Sequence, residues 1–204
     1  MLFEDTYKTI TTTCTGLYKE KGSKFIAIAI PVLTEESVKQ NLEELRKEYY
    51  DARHHCYAYV LGPDKSAWRT NDDGEPSGTA GKPIHGQILS FDLTNILIVV
   101  VRYFGGTKLG VSGLITAYKT AAKDALSQAE IIEKTVNEIY KLEFPYQVMN
   151  DVMRIIKEEN LHIIDNQSNN TCIITYSIRK NEADRIKSRF LKTHENKITY
   201  LRTT

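Results

Sequence analysis

The stretch RYFGGTKLGVSG, Arg102–Gly113, stands directly after the apolar run NILIVVV, Asn95–Val101. A short run of branched apolar residues reads as a strand buried on both faces. Beyond the glycines, Leu114, Ala117, Tyr118, Ala121 and Ala125 share one helical face, with Lys119 and Lys123 turned away. The stretch is therefore a strand-to-helix junction unusually rich in glycine.

Working outward, SKFIAIAIPV (Ser23–Val32) reads as a strand stopped by Pro31. Thr34 offers a helix cap, Glu35 and Glu36 favour the first turn, and Val38, Leu42, Leu45 and Tyr49 form an apolar stripe. RHHCYAYVLG is a second strand. Its alternation sets Cys56, Ala58 and Val60 against the core and Arg53, His55, Tyr57 and Tyr59 on the other side, a basic, aromatic face suited to a partner. The polar segment PDKSAWRTNDDGEPSGTAGK reads as a long connection of the kind that carries function. Pro83 can sit in the first turn of a helix with Ile84, Ile88 and Phe91 on its apolar side.

Past Gln128–Lys134 the glycines end. EIYKLEF, LHIID, TCIITYSI and KITYL read as strands and Val148, Val152 and Ile155 as a helical stripe. NQSNN reads as a turn-rich linker and Asn181 as the cap of a second helix. The order β-α-β-β-α-β is the ferredoxin-like split unit. The expectation is an α+β chain of two domains, 1–129 and 130–204.

The 204 residues are 41% hydrophobic, enough for packed cores. A net charge of +1 gives no strong overall field, so a nucleic-acid site needs a local patch. Cys14, Cys56 and Cys172 are scattered, which argues against a disulfide framework or a zinc knuckle. The start MLFEDTYKTI carries early acids and no long apolar core, and the longest apolar run is too short to span a bilayer. A cytoplasmic protein without a membrane segment is expected.

The glycine stretch admits two readings. Backbone N–H groups there, with Arg102, Lys108 and Lys82 nearby, can hold phosphate at Gly105, Gly106, Gly110 and Ser112. Alternatively, the glycines shape a tight turn and let the helix approach the sheet. The Walker pattern is absent, since Val111 stands where its lysine belongs. Asp72, Asp73 and Glu75 form either an acidic rim facing that loop or an ordinary solvated turn. Neighbouring residues of a strand point oppositely, so His54, His55 and Cys56 do not grip one metal. No metal or cofactor is expected. His85, His162 and His194 read as structural or surface residues.

Four blocks in order, KGSKFIAIAIPV, RHHCYAYV, DGEPSGTAGKPI and RYFGGTKLGVSGL, resemble the YigZ/IMPACT family over about the first two-thirds of the chain. The resemblance implies a first domain like domain IV of elongation factor G, with a ribosomal-protein-type β-α-β fold. It implies a second domain like domain V of that factor. Eukaryotic relatives regulate translation under amino-acid starvation through a protein partner. The expected function is thus a translation-associated regulatory binding protein that meets RNA, the ribosome or a translation regulator. The alternative is an enzyme acting on a phosphorylated small molecule or nucleotide through the glycine-rich loop. Oligomeric state is not legible.

Overall fold

A computed structural model describes residues 5–168, 171–192 and 196–204. The chain gathers into two compact units, residues 7–134 and residues 135–204 with Asp5 and Thr6. Both are α+β, built on antiparallel sheets.

The first unit contains β1 (Thr6–Ile10), β2 (Cys14–Glu20), β3 (Ser23–Pro31), α1 (Glu35–Glu48), β4 (His54–Leu61) and β5 (Ala67–Asn71). It continues with α2 (Gly81–Ser90), β6 (Ile96–Tyr103), α3 (Gly110–Ser127) and β7 (Ile131–Thr135). β7 pairs with β1, which ties residues 131–134 to this unit. The main sheet has the order β2-β3-β6-β4-β5. Lys21 and Gly22, with φ of 46° and 78°, close the β2–β3 hairpin. A two-residue turn with both φ positive matches the natural twist of paired strands.

β6 is the central strand. Ile96 to Val101 are all fully buried, as the unbroken apolar run requires. Its register places Ala27, Val100 and Cys56 side by side across β3, β6 and β4. On that face α2 and α3 pack through Ile84, Ile88, Leu114, Ala117 and Tyr118. On the opposite face lies α1, whose Val38 and Leu45 bury against Tyr57, Tyr59, Leu97 and Val99. Each such aliphatic side chain taken from water contributes about 1.5–3 kcal/mol. α1 begins where expected: Thr34 Oγ1 accepts from the Ser37 N–H at 3.2 Å, and Ser37 Oγ accepts from the Thr34 N–H at 3.3 Å.

Four strands, β1, β2, β5 and β7, lie where the sequence reading places none, and two of them are edges of the main sheet. β2 has mixed polarity because it is an edge strand with one face only partly covered. β5 lies inside the polar connection and forms the other edge, its residues intermediate or exposed. Neither edge strand has the apolar periodicity that marks a buried one.

The second unit runs β8 (Asn137–Pro145), α4 (Met149–Glu158), β9 (His162–Ser168), β10 (Thr171–Arg179), α5 (Ala183–Phe190) and β11 (Lys197–Thr203). Its antiparallel sheet has the order β11-β8-β10-β9. Tyr140, Leu142, Phe144, Ile174 and Tyr176 face Val152, Ile156, Ile186 and Phe190 of the two helices. Asn166 to Ser168 of the expected linker belong to β9, and its remainder lies outside the described residues. Asn181 does not cap α5; it sits in a single 3₁₀ turn, Lys180–Glu182, that precedes the helix. His162 is exposed in β9, and His194 lies outside the described residues. Among the described residues, no helix is long and apolar enough to cross a membrane.

β2 and α3 touch backbone to backbone at Gly16. A Cβ there would lie 2.2 Å from the Ala125 nitrogen and 2.8 Å from the Ala121 oxygen. Gly16→Ala is therefore expected to cost about 3 kcal/mol by separating strand from helix. Urea unfolding checks this, and a wild-type midpoint would refute the close approach.

Candidate functional site

At the end of β6 the apolar run stops at Arg102. Its side chain is only 8% exposed, and that of Glu75 only 4%. Nη1 donates to Glu75 Oε1 at 2.5 Å, and the Tyr118 hydroxyl donates to the same oxygen at 2.8 Å. The guanidinium carbon lies 5.4 Å from the Phe25 ring centre and 5.6 Å from that of Phe104. A buried cation needs such a partner, because an unpaired charge in the interior is strongly disfavoured. The Arg102 Nε, also buried, has no acceptor among the described residues.

The chain of contacts continues inward. Cys56 Sγ lies 3.4 Å from the Tyr118 hydroxyl, and its thiol donates to the Asp72 carbonyl at 3.0 Å. Burial pushes the thiol up to about 12, so it stays protonated at neutral pH. Burial, with Cys56 and Glu75 alongside, also pushes the Tyr118 phenol well up. This is a packed polar core rather than an activated nucleophile.

The carboxylates of the polar loop are committed to internal contacts. Asp72 accepts the Gly78 N–H at 2.8 Å on one oxygen, and those of Ala80 at 3.0 Å and Gly81 at 2.8 Å on the other. Burial alone would raise its pKa, but the three donors more than offset that and leave it lowered. It thereby serves the uncapped start of α2 from outside the helix. Asp73 accepts the His55 N–H at 2.7 Å and pairs with Arg46 at 3.3 Å, pinning the loop to β4 and α1. Among the described residues no group of three or more His, Cys, Asp and Glu side chains is placed to hold a metal ion.

Beside this cluster lies a cleft of about 460 Å³. Its walls come from the start of β4 (Arg53, His54), the loop at Glu75 and Pro76, the end of β6 (Arg102, Phe104), and Lys108 to Val111 with Leu114 at the start of α3. Leu109 stands at the cap position of α3, with no side chain capping the helix. Among the described residues, Arg53 and Lys108 have no ion-pair partner, and both are exposed.

Several expected site residues thus converge, and others do not. Arg53, Arg102, Lys108 and Gly110 line the cleft. Gly106 is exposed with φ of 86°, and Ser112 is exposed in the first turn of α3. Gly105 is not an open anion cradle: its N–H donates to Ser23 Oγ at 3.1 Å, and a Cβ there would come within 1.9 Å of Gly22. Lys82 lies in the first turn of α2 and is not among the cleft residues. His55, Tyr57 and Tyr59 offer no surface. They are 6%, 7% and 6% exposed because α1 covers that face of β4, and the Tyr59 hydroxyl donates to Glu35 at 3.0 Å. Asp72, Asp73 and Glu75 do not form a free rim, since each is bonded within the fold. His85, read as structural, stacks on Trp68 at 4.8 Å. Phe104, His54 and Val111 were missed as site residues. The signal for Phe104 was an apolar ring beside two glycines, where a chain seldom needs one.

Two outcomes are expected from this geometry. Glu75→Gln keeps the shape but leaves Arg102 without a counter-charge, and should lower stability by about 3 kcal/mol. Tyr118→Phe, which removes one hydrogen bond, should cost about 1 kcal/mol. Equal losses in denaturant titrations would contradict the ion pair as the stronger tie. His55, buried beneath α1, has its pKa lowered first by desolvation. A histidine depressed in the fold is protonated more readily when unfolded, so its contribution is full above the ordinary value of about 6.5 and is lost as pH falls through the folded pKa. The melting temperature should fall as pH drops below about 6.5, and less steeply in His55→Gln. Identical pH profiles for the two proteins would remove His55 as a cause.

The Impact N-terminal domain family matches residues 21–126, just over half of the chain. The IMPACT family member YigZ of Escherichia coli is 39% identical over 147 residues, covering 71% of this chain and 72% of that one. The IMPACT family member YvyE of Bacillus subtilis is 35% identical over 136 residues, covering 67% of this chain and 63% of that one. A crystal structure of a hypothetical protein is similar along nearly the whole length, with a TM-score of 0.74 at 29% identity and coverage of 97% and 98% of the two chains. The matched region contains every residue of the cleft, and the chain belongs to the IMPACT family.

Proposed function

We propose that this chain is a translation-associated regulatory protein that binds RNA at the cleft beside Arg102. One observation carries the reading: Arg53 and Lys108, two surface cations without an ion-pair partner among the described residues, flank an uncapped helix start and an exposed phenylalanine. Cations and helix N–H groups meet phosphates, and an exposed ring stacks on a base. The second unit adds support by analogy. Its strand order β11-β8-β10-β9, fourth-first-third-second in sequence, suits a ferredoxin-like domain such as domain V of elongation factor G. The first unit fits the proposed likeness to domain IV of that factor in its covered antiparallel sheet. A cytoplasmic site of action belongs to the same proposal.

An enzyme acting on a phosphorylated small molecule is less well supported. It needs a free base or metal-binding carboxylate beside the phosphate. Asp72, Asp73 and Glu75 are instead held by backbone amides, His55 and Arg102.

Co-sedimentation with ribosomes from a lysate, across a salt series and after RNase treatment, tests the proposal. Association should be salt- and RNase-sensitive, and Arg53→Ala with Lys108→Ala should flatten the salt dependence by about one unit of slope per lost phosphate contact. Protein that remains free at every salt concentration would overturn the ribosomal reading.

A further inference from the structure

We infer that the cleft is a subsite for one terminal nucleotide carrying a phosphate monoester, with the phosphate at the start of α3 and the base against Phe104. This rests on the RNA-binding reading above and names the part of the RNA that is held, its phosphorylated end.

Size is the first argument. About 460 Å³ lies in the lower half of the range for small-molecule sites, room for one nucleotide and not for a strand. Donor supply is the second. Arg102 is more than nine-tenths buried, lines the cleft, and keeps a buried Nε with no acceptor among the described residues. A donor left unmade in the interior is costly, and a small turn of the guanidinium toward an anion in the cleft would relieve that cost. The guanidinium is already fixed by Glu75 and by the rings of Phe25 and Phe104, so little ordering accompanies binding.

The helix start is the third argument. α3 is 18 residues long and has no side-chain cap. A Cβ at Gly110, where φ is 73°, would meet nothing within 4 Å, so the space before the helix is open. Lys108 stands at its edge. Glu75 is the acidic residue in the lining, and Arg102 and Tyr118 already hold its carboxylate.

A terminal phosphate is favoured over an internal one by charge and geometry. A monoester carries up to two charges and three free oxygens, a diester one charge and two. Arg102, Lys108 and the start of α3 line the cleft from a strand, a loop and a helix, a donor supply that suits three oxygens better than two. The apolar wall says the ligand is more than a bare anion. Phe104 and Val111 are 55% and 59% exposed beside the cations, and inorganic phosphate would leave both uncovered.

The test is fluorescence anisotropy of the full chain with 3′-labelled single-stranded RNA bearing either a 5′-monophosphate or a 5′-hydroxyl. The phosphorylated RNA should bind about tenfold more tightly. Lys108→Ala and Phe104→Ala, both at exposed positions, should each shrink that ratio without a change in the unfolding midpoint large enough to account for it. Equal binding of the two RNAs would overturn the subsite and leave RNA binding standing. Competition by a nucleoside 5′-monophosphate as strong as that by phosphorylated RNA would uphold the subsite chemistry and assign it to free nucleotides, against the RNA reading. Failure of both RNAs and of the monophosphate to bind would overturn both.

Discussion

The first unit depends on a strand that has no outside. β6 carries Ile96 to Val101 without a polar side chain, and all six are fully buried. Such a strand is stable only with both faces covered, so α1 must lie on one side and α2 with α3 on the other. The same requirement governs its neighbour β4. The tyrosines of β4 are drawn under α1 because that helix cannot cover β6 without covering them too.

Where β6 leaves the core, the chain places a cation. Arg102 is still buried, and its charge must be answered from within the fold. Glu75 answers it from the polar loop, Tyr118 joins from α3, and Cys56 follows from β4. One ion pair thus fixes the loop, the strand and the helix to one another. The cleft exists because these elements meet there, with the α3 start left open beside them. The loop's acidity, conspicuous as composition, is absorbed in building that junction.

The division of labour around the cleft follows. Carboxylates and the thiol are structural, held by amides or by burial. Cations, an open helix start and an exposed ring line the cleft instead. In the second unit, polar residues instead knit α4 to α5, with Arg185 bidentate on Glu159 at 2.9 and 2.7 Å.

Much of the architecture was legible from local pattern. The central strand, the Thr34 cap, the apolar stripes of α1 and α3, and the succession of strands and helices along the second unit follow from side-chain period and turn chemistry, which act over a few residues. Edge strands β2 and β5 were not legible, because a strand exposed on one side and unpaired along one rim needs no apolar period. The face of β4 was misread for a related reason: alternation separates two sides of a strand but does not say that the helix just before it, α1, will cover the polar-looking one. Arg102, Lys108, Arg53 and Gly110, singled out from sequence, do line one cleft. That Gly105 spends its N–H on Ser23, that Glu75 neutralises Arg102, and that Phe104 stands exposed beside them were decided by tertiary structure alone. Those contacts join residues 27 to 82 positions apart, a distance over which sequence pattern carries no pairing information.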